Sequence, residues 1–142
     1  MDEFFRELDR LYLEGNQQKI EGFLRSGLQE LEALGKEGEL DAASVLNELG
    51  GYYRGVSRYG ESCDCSQKAM AILEAHGMGE SIQFATMLLN YAGNLRLMEQ
   101  LPESKECFLR AKTLLITYHS RIRIDLTNQF FRQLANRNLF LC

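Results

Sequence analysis

The chain has 142 residues, 45% hydrophobic and 25% charged, which suits one soluble domain with a core of its own. Its net charge of −4 is unevenly spread: residues 1–104 sum to −9 and residues 105–142 to +5. An acidic body argues against general nucleic-acid binding, whereas the basic end suits an acidic partner. One proline and few β-branched runs favour helix over sheet.

The opening MDEFFRELDR is acidic and lacks the apolar stretch of a signal peptide. No apolar run approaches the roughly 18 residues needed to cross a bilayer, so a cytoplasmic location without membrane insertion is expected. In the first unit, Leu8 and Leu11 lead to a break at GNQQ. Ile20, Phe23, Leu24, Leu28 and Leu31 then line a second helix closed by Gly35.

LEALG at residues 31–35 returns as LEAHG at residues 73–77, and the 42-residue offset persists beyond them. Residues 43–73 laid over 85–115 match Ala43 with Ala85, Leu46 with Leu88, Gly51 with Gly93 and Arg54 with Arg96. Glu61 then matches Glu103, Ser62 matches Ser104, Ala69 matches Ala111 and Leu73 matches Leu115. A fixed period of this size is the mark of a stacked array.

Within each unit the apolar spacing is helical, as in Leu46, Leu49, Tyr53 and in Leu88, Tyr91, Leu95. GVSRYG interrupts one unit and MEQLP the other, with Pro102 placed where a first helical turn tolerates it. Each unit therefore reads as a helix–turn–helix hairpin. After His119, the segment IDLTNQFFRQLANRNLF begins like another first helix, with Phe130 falling where Leu46 and Leu88 fall.

The predicted fold is all-α: units at about 1–38, 39–80 and 81–120, and a closing helix at about 122–140 within a single domain of residues 1–142. Phe130 and Leu134 are expected to pack back on the second helix of the third unit. The apolar tip LFLC is the expected site of self-association, giving a homodimer through the C-terminal helix or, where the +5 end of one chain meets the −9 body of another, a head-to-tail contact.

The pattern resembles the tetratricopeptide repeat. The residues that carry it are Leu46, Leu49, Gly50, Tyr53, Ser62, Ser66 and Ala69, then Leu88, Tyr91, Ala92, Leu95, Ser104, Phe108 and Ala111. The period of 42 exceeds the usual 34 and is similar to the longer-helix variety of kinesin light chains and bacterial regulators. Ser66 stands where a bulky residue is usual, and the prolines that often end a repeat are missing. The resemblance implies a right-handed superhelical array with its first helices along a concave groove that binds peptides or partner proteins.

The groove residues expected from helix geometry are Asn47, Gly51 and Arg54, then Asn90, Gly93 and Arg96. Two guanidiniums one period apart suit a clamp on a carboxylate or acidic side chain. An asparagine side chain can hold a peptide backbone through donor and acceptor, and the glycines leave room for close approach. The alternative is that the glycines merely permit packing and the arginines sit in solvent.

Catalysis has little footing in the sequence. His76 and His119 lie apart from any evident nucleophile, and no phosphate loop, H-E-x-x-H or G-x-S-x-G occurs. Glu30, Glu32, Glu37 and Glu39 read as a solvated helix face and loop. Cys63, Cys65, Cys107 and Cys142 form neither a disulfide framework nor a zinc spacing. No enzyme activity, cofactor or metal is expected. The expected function is a protein- or peptide-binding scaffold or adaptor, the alternative a sensor module that holds a small signalling peptide.

Overall fold

The computed structural model describes the backbone of residues 1–138 and the side chains of residues 1–129 and 132. It is all-helical over those residues: α1 Asp2–Glu14, α2 Gln17–Ala33, α3 Leu40–Gly55, α4 Tyr59–Ala75, α5 Ile82–Leu97 and α6 Leu101–Asn138. Each helix packs on the next in chain order, and α3 also touches α5. No helix among the described residues is long and apolar enough to cross a membrane.

The turns recur with the 42-residue period, and each has a local cause. Gly15, Ser57 and Glu99, spaced by 42, all adopt positive φ at the end of a first helix. Gly35 and Gly77 do the same after α2 and α4. There Lys36 N–H donates to Leu31 O and Met78 N–H to Leu73 O, both at 2.8 Å, which satisfies carbonyls left over at the helix ends. Asn16 and Ser81 cap the starts of α2 and α5 by accepting from Lys19 N and Phe84 N, each at 3.1 Å.

Small residues set the spacing inside the hairpins. Ser62 Oγ donates to Gly50 O and Ser104 Oγ to Ala92 O, both at 2.7 Å, one period apart. A Cβ on Gly50 would stand 3.3 Å from the Cβ of Cys65, so α3 and α4 meet closely there. Ala69 and Ala111 are fully buried at equivalent places on α4 and α6. Replacing Ala69 by Leu adds three carbons where no space is left. We expect Ala69→Leu to cost about 1–3 kcal/mol, read from chemical denaturation; an unchanged midpoint would place Ala69 away from the helix contact.

Between hairpins the contacts are partly polar. Ser62 Oγ also accepts from Asn94 Nδ2 at 2.7 Å, and the Tyr91 hydroxyl accepts from Gln67 Nε2 at 3.0 Å, so α4 and α5 are held in register. Tyr91 in turn donates to Glu103 Oε1 at 3.0 Å. Burial, reinforced by that carboxylate, pushes the Tyr91 hydroxyl up to about 12. Glu21 of α2 accepts from Tyr53 at 3.2 Å and from Arg58 at 2.9 Å, with the Arg58 guanidinium over the Tyr53 ring.

The end of the chain departs from the expectation. A separate closing helix at about 122–140 is not formed within the described residues, because α6 runs unbroken from Leu101 to Asn138. At about 1.5 Å per residue it is ~57 Å long. The reason is local. Where Gly35 and Gly77 turn the chain, the third unit has His119, for which the left-handed turn conformation is costly. Where Ser81 caps α5, it has Arg123. Neither stop nor start signal survives, and the helix continues. The side chains of Phe130 and Leu134, and the LFLC tip, lie outside the described residues.

Candidate functional site: the face shared by the first helices

The first helices of the three hairpins, α1, α3 and α5, share one face, and a cleft of about 460 Å³ opens on it. Phe5 comes from α1, Ser44, Asn47 and Glu48 from α3, and Ile82, Gln83, Thr86 and Met87 from α5. Ser44 and Thr86 are one period apart, each with its hydroxyl turned back to the carbonyl four residues earlier. A second cleft of about 270 Å³ lies between the ends of α1 and α3, walled by Tyr12, Gly15, Gly51, Tyr52 and Gly55.

Of the residues expected on this face, Asn47 lines the larger cleft and Gly51 the smaller. A Cβ at Gly51 would meet nothing within 4 Å, so close approach is open there. Gly93 is different. Its space is taken by the Arg54 side chain, whose guanidinium nitrogen stands 3.0 Å from where a Cβ would be. The room expected at Gly93 is thus filled from within the chain, because the long side chain on α3 reaches across to the glycine on α5. Asn90 is half-buried and Arg96 exposed. Arg54 and Arg96 both lie in the last turn of their helices, where a cation also favours the helix's carbonyl end. Neither makes an ion pair among the described residues.

Carboxylates here were missed by the sequence reading. Burial, and behind it the charge of Asp9, pushes the Glu48 carboxyl above its usual range, against a hydrogen bond from Asn47. Burial, helped by Glu48, likewise raises the Tyr12 hydroxyl. The 42-residue offset sets Asp9 level with Gly51, so the period does not reveal its approach to Glu48. The face is therefore polar along the helices, with carboxylates midway and guanidiniums at the C-terminal ends.

The raised Glu48 has a consequence for stability. An acid whose folded-state pKa lies above its unfolded value stabilises the fold below that unfolded value, near 4.5, and loses the contribution as pH rises through the folded value. Glu48→Gln should therefore raise the melting temperature at pH 7, and the gain should shrink toward zero at pH 4. An equal gain at both pH values would show that the charge is not its cause.

A third cleft, of about 360 Å³, lies on the opposite side, between α2 and α4 over α3. It is lined by the charged side chains of Arg25, Glu32, Glu61, Asp64 and Lys68 and by about as many apolar ones, among them Leu28, Leu46 and Leu49. Cys65 beside it is a buried thiol pushed up to about 11, chiefly by burial, which keeps it protonated and unreactive at neutral pH.

Compared with known protein families and curated proteins, the chain matches no family model and no curated sequence.

Proposed function

We propose that the chain is a protein- or peptide-binding scaffold of tetratricopeptide-like architecture, with the shared face of α1, α3 and α5 as its binding surface. The observation that carries this reading is the larger cleft. It combines apolar side chains (Phe5, Ile82, Met87) with half-buried polar ones (Asn47, Glu48) across all three first helices. Such a lining buries apolar groups of an extended or helical segment while satisfying its backbone. The occupant's orientation follows from charge. A segment with an acidic side chain or free carboxylate would direct it toward Arg54 and Arg96 at the C-terminal ends of α3 and α5, away from Asp9 and Glu48.

Fluorescence anisotropy with a panel of labelled peptides tests this. Acidic or free-carboxylate peptides should bind more tightly than basic or amidated ones, and binding should weaken as salt rises. Arg54→Ala and Arg96→Ala should each reduce that preference. A salt-independent preference for basic peptides would overturn the clamp.

A further inference from the structure

The 42-residue register assigns residues 124–138 the positions held by residues 40–54 in α3 and 82–96 in α5. Those helices each pack on the second helix of the preceding hairpin, α3 on α2 and α5 on α4. On α6 no helix among the described residues takes the corresponding place. Phe108 and Leu109 are 37% and 53% exposed, and Leu109 stands where Gln67 of α4 meets Tyr91 of α5. Residues 124–138 cannot fill that place in their own chain, because α6 carries them straight on. Ile122, Ile124 and Leu126 are left exposed on that extension, and its one ion pair among the described residues is Arg121 with Glu80 of the α4–α5 turn at 3.6 Å. A helix with so little packed against it is poorly supported in water.

We propose that α6 pairs antiparallel with the α6 of a second copy of this chain, residues 124–138 of each taking on the other the place of a fourth first helix. The register is copied from α4 and α5. The Ser62–Asn94 and Gln67–Tyr91 pairs translate to residue 104 opposite residue 136 and residue 109 opposite residue 133. Leu115 then faces the partner's Leu126, and two-fold symmetry closes the pair. The same alignment brings Arg132 level with the partner's Arg110 and about a turn from the partner's Glu106, and Asp125 about a turn from the partner's Lys112. A parallel in-register pairing would instead set Arg110, Arg123 and Arg132 each beside its own copy, whereas the antiparallel two-fold near residues 120 and 121 does so only for Arg121. Each chain contributes two stretches of about 15 residues, of which roughly half face the partner. Exchange of an identical element is a low-cost route to a dimer.

Sedimentation velocity of the full chain tests the proposal, with circular dichroism confirming that each variant is folded. The wild type should sediment as a dimer in the micromolar range. Leu126→Glu changes an exposed position of the single chain, so folding should survive while the dissociation constant rises about tenfold or more. The double variant His119→Gly/Arg123→Ser restores the turn glycine of the earlier units and the serine cap that starts α5. It should let residues 124–138 fold back on their own α6 and give a monomer. A wild type that is monomeric at every concentration, a dimer untouched by Leu126→Glu, or a double variant that stays dimeric would each overturn the exchange.

Discussion

Phe84→Ala should be the most damaging single truncation in this protein. The ring is 1% exposed at the start of α5, with the Arg110 guanidinium of α6 4.9 Å from its centre. Removing it deletes a large apolar group and leaves a cavity between helices that cannot collapse without losing the α5–α6 register. The expected cost is about 3–5 kcal/mol, a large share of the ~5–15 kcal/mol that holds a domain together. That should lower the melting temperature by roughly 10 °C or more. Leu13→Ala serves as the control, since Leu13 is 89% exposed. Its loss should move stability by no more than about 0.5 kcal/mol. Comparable losses from the two substitutions would mean that α5 does not sit at the centre of the packing.

The second large effect should come from a much smaller change. Ser62 is 2% exposed, and its hydroxyl both donates to Gly50 O and accepts from Asn94 Nδ2. Asn94 is fully buried, and its Oδ1 has no partner among the described residues. Ser62→Ala leaves a buried carbonyl short of one bond and the Asn94 amide without its remaining partner. An unsatisfied buried group costs about 1–3 kcal/mol, so the two together should cost about 2–4 kcal/mol by denaturant titration. Adding Asn94→Leu in the Ser62→Ala background should recover part of that loss, because the orphaned amide is then gone. A double variant no more stable than Ser62→Ala would show that the serine matters for packing rather than for pairing.

The hairpins were legible in the sequence because their signals are local and doubled. Gly35 and Gly77 stop helices in two units, and the apolar spacing around Leu46 and Leu88 names the same face twice. The closing helix misled for the opposite reason. Ile124, Phe130 and Leu134 carry the apolar period of a first helix, and periodicity does not distinguish a new helix from the continuation of an old one. The decision lay at His119 and Arg123, where the glycine that turns the earlier units and the serine that caps α5 are missing.

The candidate site divides in the same way. Asn47 and Gly51 were readable from the repeat, since each lies on the outward stripe of α3. The filling of Gly93 by Arg54 was not, because the offset aligns Arg54 with Arg96 and says nothing about how far a long side chain reaches. Asp9 and Glu48 went unseen because the charge of one on the other depends on where α1 sits relative to α3, which the period does not encode.

A partner of the proposed scaffold should lie on the shared face of α1, α3 and α5. Site-specific photocrosslinking tests it most directly, with a benzophenone side chain placed in turn at Ser44 and Thr86 on that face and at Gln29 in the opposite cleft. The probe is the tightest peptide from the anisotropy panel. Crosslinks should form at positions 44 and 86, fall when Arg54 and Arg96 are replaced by Ala, and be absent at position 29. Crosslinking at position 29 with none at 44 or 86 would move the binding surface to the other side of the protein.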